Sequence, residues 1–124
     1  MTDRLAILIA SGGAERPELC ATPLVHALAA HALDAEVEIH FAGPAVRLLV
    51  AGLADGLYAT PSREKSIGEF LGEVIACDIP LYACGMARAG WVGADEALIP
   101  QARAAGATAF VARTLDPAWR TLVY

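Results

Sequence analysis

The run Leu5-Ala-Ile-Leu-Ile-Ala10 constrains the fold of this chain more than any other segment. It is continuously apolar, with charge before it and Ser11-Gly12-Gly13 after it, the pattern of a strand buried on both faces of a parallel sheet. A helical stretch follows, starting either with Pro17 in its first turn or with Thr22 as N-cap and Pro23 at its first position, and ending near Leu33-Asp34. Residues 36–42 predict a second strand, and Gly43-Pro44 opens a short helix through Leu53. Ser66, with Glu69 three residues on, forms a capping box for a helix reaching about Cys77. Residues 80–84 predict a third strand, 93–105 one or two helical turns, 108–112 a fourth strand, and 121–124 a fifth. Strands alternating with helices specify a three-layer α/β/α sandwich around a mainly parallel sheet of about five strands. At 124 residues, without linkers or repeats, a single domain over 1–124 is expected.

Composition narrows the function. Fourteen acidic against nine basic residues give a net charge of −5, and the basic residues are scattered, which provides no footprint for nucleic acid or for an anionic membrane. The longest uncharged run, Leu19 to Leu33, contains a proline and two histidines and is shorter than the ~20 residues of a membrane span. Three irregularly spaced cysteines make neither a disulfide framework nor a Cys-x-x-Cys pair, so the expected compartment is the cytoplasm. Hydrophobic residues are 56% of the chain and charged residues 19%, against about 25% in an average domain. A monomer would struggle to cover itself with polar groups, and a homo-oligomer is expected.

Pro80-Leu-Tyr-Ala-Cys84-Gly-Met-Ala-Arg88-Ala-Gly90 places a thiol where a strand hands over to a helix. There, free backbone N–H groups and the positive end of a helix dipole favour thiolate over thiol. The competing reading is a cysteine packed as a small hydrophobe. Tyr82-Ala-Cys84-Gly-Met86, Gly90 and Asp95-Glu-Ala-Leu-Ile-Pro100 resemble the cysteine region of the DsrE/DsrF-like family. Arg4 to Gly13 and Ala35 to Gly43 are similar to that family's first two strands and their exit turns. The resemblance implies a sulfur carrier of the sulfurtransferase type that relays persulfide sulfur through Cys84 between donor and acceptor proteins. It also implies a trimer or a dimer of trimers.

In such sheets ligands bind beyond the carboxyl ends of the strands. Cys84 is therefore the candidate nucleophile, with Arg88, four residues on, as a charge partner on the same helical face. Cys20, at the start of the helix after strand one, is a second candidate thiol at that edge, although packing under the loop as a small apolar residue is the commoner role of such a cysteine. Ser11, Gly12, Gly13 and Gly85 are candidate substrate-binding residues, although Gly-Gly without the rest of a phosphate-loop motif reads foremost as a tight turn that needs glycine. Arg113, after the predicted fourth strand, joins the same edge. Cys77 falls at the opposite edge. His26, His31 and His40 have no metal-ligand spacing and read as packing or interface residues, so neither metal nor cofactor is expected. Two other readings stay open: a thiol peroxidase-like redox protein with Cys20 resolving a sulfenic acid on Cys84, and a non-catalytic oligomeric small-ligand binder.

Overall fold

A computed structural model describes residues 2–124. In chain order the elements are β1 (Arg4–Ile9), α1 (Ala21–Ala32), β2 (Glu36–Phe41), α2 (Ile67–Ala76), β3 (Leu81–Cys84), α3 (Gly85–Trp91), β4 (Ala102–Ala105), α4 (Ala107–Leu115) and β5 (Arg120–Val123), with 3₁₀ turns at Pro17–Leu19, Gly43–Leu49 and Ala54–Gly56. The five strands form one sheet in the order β4-β3-β2-β1-β5, and every pair is parallel. β1 lies inside the sheet between β2 and β5, which is why its sequence is apolar at every position after Arg4.

Alternation along the strands sorts their side chains onto two faces. One face carries Ile7, Ile9, Val37, Ile39, Phe41, Leu81 and Ala83, all buried, and packs against Leu24 and Ala27 of α1 and Leu71 and Val74 of α2. Full burial of each large side chain contributes about 1.5–3 kcal/mol. The other face carries Leu8, Glu38, His40, Tyr82 and Cys84, and α4 lies over it, bringing Phe110 to His40 and Arg113 to Glu38.

Local signals set the helix ends. The Ser66 hydroxyl accepts from the Glu69 N–H at 3.0 Å and starts α2. α1 and α2 both stop with an aspartate in the left-handed region, Asp34 at φ 66° and Asp78 at φ 57°. In each case the two chain-reversal bonds form: Asp34 N to His31 O at 2.9 Å and Ala35 N to Ala30 O at 3.0 Å, then Asp78 N to Ile75 O at 2.9 Å and Ile79 N to Val74 O at 3.3 Å.

The C-terminal third departs from the sequence expectation. Residues 102–105 form a strand rather than a helical turn, and 108–112 lie in α4 rather than in a strand. Thr108, Phe110 and Val111 suggest a strand, but the alanines around them are strong helix formers, and the i,i+3 pair Phe110 and Arg113 turns toward the sheet only in a helix. Ala102-Arg-Ala-Ala has no strand preference of its own and is ordered by pairing with β3, from Leu81↔Ala102 to Cys84↔Ala105. The predicted helix from Gly43 through Leu53 is also shorter, a 3₁₀ segment closing at Leu49.

Candidate functional site

Cys84 is the last residue of β3 and the N-cap of α3, with extended backbone (φ −64°, ψ 125°). It is half-buried and lines a cavity of about 180 Å³ at the carboxyl end of the sheet, between the strands and α4. Leu8, Phe110 and Val111 supply apolar walls, and His40 and Tyr82 the polar groups. Among the described residues no Lys, Arg, Asp or Glu lines it. The cavity therefore suits a neutral or soft, polarisable group such as a sulfur chain better than an oxyanion.

His40 anchors the cavity floor. Its ring stacks on Tyr82 with centroids 5.0 Å apart and meets Phe110 edge-on at 5.3 Å. Its Nε2 lies 3.2 Å from Oε2 of Glu38, whose Oε1 accepts from Nε of Arg113. Arg113 also lies over Trp119, 4.0 Å from the ring centroid. Burial pushes the His40 pKa below its ordinary value, against the opposing pull of the Glu38 carboxylate. From sequence this cluster is missed, although β2 carries a signal: Glu36-Val-Glu-Ile-His-Phe alternates polar with apolar on a strand expected to be buried.

The remaining candidates are distributed elsewhere. Cys20 is fully buried on the α1 side and does not line the cavity of Cys84. Its Sγ lies 3.6 Å from Gly13 O and 3.5 Å from Arg16 O, and burial, aided by the charge of Glu18, pushes its pKa up to about 11. Arg88 is exposed on α3 and is not among the cavity's lining residues. Ser11 is exposed, its N–H donating to Tyr124 O at 3.2 Å. Gly12 and Gly13 are buried against neighbours: a Cβ on Gly12 would sit 3.0 Å from Cys20 Sγ, and one on Gly13 would sit 2.9 Å from Pro44 O. Close packing thus accounts for both glycines. Gly85 is exposed and does not have the positive φ of Gly43 and Gly52.

Arg113 is not at the carboxyl edge expected for it. The helix that replaces the predicted strand carries it across the sheet face to Glu38, where it borders a second cavity of about 360 Å³ with His31, Cys77 and Asp78. Cys77, the C-cap of α2, is at the edge opposite Cys84, as its position in the chain implies. Glu96 takes both Nη atoms of Arg47 at 2.9 and 3.0 Å as well as the Gly93 N–H at 2.8 Å. The Arg47 hydrogen bonds hold its pKa down at about 2. This clamp ties the Gly43–Leu49 segment to the loop between α3 and β4. Among the described residues no group of three or more His, Cys, Asp or Glu is gathered to hold a metal ion, and no helix is long and apolar enough to cross a membrane.

An all-parallel five-stranded sheet with helices on both faces and a thiol at the strand-to-helix turn of β3 defines a class of small α/β proteins with a cysteine at the carboxyl edge. Within that class the chain belongs to the DsrE/DsrF-like family, whose model matches residues 4–124. The crystal structure of the ychN protein from E. coli shares the fold, with a TM-score of 0.76 and 17% identity over 100% of both chains. No curated protein matches in sequence.

Proposed function

We propose that this chain is a persulfide sulfur carrier of the sulfurtransferase type, with Cys84 as the atom that receives and hands on sulfur. The observation that carries the reading is the placement of Cys84 in a DsrE/DsrF-like chain: half-buried, at the mouth of the fold, lining a cavity with apolar walls. The Cys84 thiolate attacks the outer sulfur of a donor persulfide, holds it as Cys84–S–SH, and yields it to the thiolate of an acceptor protein. The apolar walls keep water away from a species that other thiols readily attack. Donor and acceptor proteins are the partners of this reading, and the reducing cytoplasm is its compartment.

The carrier works as a homo-oligomer, a trimer or a dimer of trimers. Leu33, Met86 and Leu115 are 82%, 86% and 77% exposed in the single chain, and association would cover such residues. Light scattering at micromolar concentration tests this, and a stable monomer refutes it. The carrier role is tested by intact mass after incubation with inorganic polysulfide. The wild-type chain gains sulfur that dithiothreitol removes, Cys77→Ser behaves as wild type, and Cys84→Ser gains none. Equal loading of Cys84→Ser and wild type rules out Cys84 as the carrier.

A further inference from the structure

β2 carries Glu38 and His40 on the face that looks toward α4, while Val37, Ile39 and Phe41 between and beyond them belong to the apolar core. Both polar residues are buried, 4% and 6% exposed, and a buried carboxylate persists only when it is paired and hydrogen-bonded. Glu38 divides its two oxygens between Arg113 and His40. A carboxylate at Nε2 keeps the N–H on that nitrogen, which leaves the lone pair of the neutral ring on Nδ1. Tyr82 and Phe110 fix the ring plane from two sides.

His40 and Cys84 line the same cavity. The register pairs His40 with Tyr82, so Cys84 is on the same face of the adjacent strand, two residues further on. Strands about 4.8 Å apart and a rise of about 3.3 Å per residue put the two Cα atoms about 8 Å apart. Among the described residues His40 makes its side-chain hydrogen bond to Glu38, so its path to the thiol across that span runs through one water. The titratable and charged groups facing His40 are Glu38 from β2, Tyr82 and Cys84 from β3, and Arg113 from α4. Because burial keeps the ring neutral near pH 7, it is free to accept a proton.

We propose that His40 is the proton acceptor for Cys84, and that Glu38 and Arg113 are positioning residues that fix its tautomer and orientation. The proposal rests on the reading of Cys84 as the sulfur carrier. His40 takes the thiol proton, and the Cys84 thiolate attacks the outer sulfur of a persulfide R–S–SH. A new S–S bond forms to Cys84 while the donor's own S–S bond, between RS and that outer sulfur, breaks, and its electron pair leaves on RS⁻. That thiolate takes the proton back from His40. The sum is Cys84–SH plus R–S–SH giving Cys84–S–SH plus R–SH, with no external oxidant or reductant.

The test is the rate of Cys84 alkylation by iodoacetamide in the full chain, followed by peptide mass from about pH 6 to about pH 10, across the ordinary range of His and Cys. Wild type should react at least about a hundredfold faster than His40→Asn near pH 7, the lower end of what a positioned base contributes. The two should converge at high pH, where a thiol ionises unaided, and Glu38→Gln should fall between them. Superimposable profiles for wild type and His40→Asn overturn the proposal. A second measurement does not depend on that variant folding: the His40 ring is titrated by NMR in wild-type protein before and after alkylation of Cys84. A moved midpoint supports the pairing, and an unmoved one overturns it. Polysulfide loading separates the two levels: normal loading of Cys84→Ser sinks the carrier reading itself, whereas loss of loading there together with matching alkylation profiles sinks only the role of His40.

Discussion

The two faces of the sheet are built from the same strands and obey different rules. On the side of α1 and α2 every inward residue of β2 is apolar, and Cys20, the thiol on that side, is packed like any other core atom. On the side of α4 the intervening residues of β2 are Glu38 and His40, the roof is a single helix, and the thiol lines a cavity. Period-two alternation thus lets one strand serve stability with half of its residues and chemistry with the other half. A cysteine's chemistry here depends on the face it occupies rather than on its neighbours in sequence.

The widest expected contrast is between the two thiols. With its pKa pushed up to about 11, Cys20 holds only about one part in a thousand as thiolate at about pH 8. Iodoacetamide at that pH should label Cys84 in the folded chain and spare Cys20 until denaturant is added. Comparable native labelling of both would erase the distinction between the faces. Next in size is the core: Ile39→Ala, at a fully buried position, should cost about 2–5 kcal/mol in denaturant unfolding. A loss under ~1 kcal/mol would show that the α1/α2 face repacks easily.

On the other face Arg113→Met leaves the buried carboxylate of Glu38 without its cation, and should cost about 2 kcal/mol, the scale of a hydrogen bond to a charged group. An unchanged unfolding midpoint would mean that the pair holds nothing together. The smallest expected effect is a pH slope. Since the folded His40 pKa is depressed, the unfolded chain binds more protons than the folded chain below the ordinary histidine value of about 6.5. Its contribution to stability is whole above that pH and is lost as the pH falls toward the folded pKa. Comparing unfolding of wild type and His40→Asn isolates it; identical slopes would show that His40 titrates as freely folded as unfolded.

What was legible in the sequence was local. The apolar run of β1, the Ser66 cap and the strand-to-helix passage at Cys84 are each specified by adjacent residues, and each is where those residues place it. β4 was hidden because alanines form a strand only by pairing with β3, and α4 because Thr108, Phe110 and Val111 imitate a strand. A strand over 108–112 would put Arg113 at the other end of the sheet from Glu38, which the helix brings it to. The cluster around His40 was equally out of reach, since Glu38 finds its cation 75 residues away and nothing nearby announces it. The alternation in β2 was the one visible trace.

The order of the strands also has a temporal meaning. β1 pairs on one flank with β2, Leu5 opposite Val37, and on the other with β5, Leu5 opposite Arg120. During biosynthesis the first three strands and the helices α1 and α2 emerge before β5, so the second flank of β1 waits for a contact of high sequence separation and slow closure. α4 emerges just before β5 and supplies Phe110 and Val111 to the cavity, so Cys84 is translated well before its enclosure exists. On a nascent chain it is an open thiol, and its enclosure arrives only once α4 has emerged and docked on the sheet.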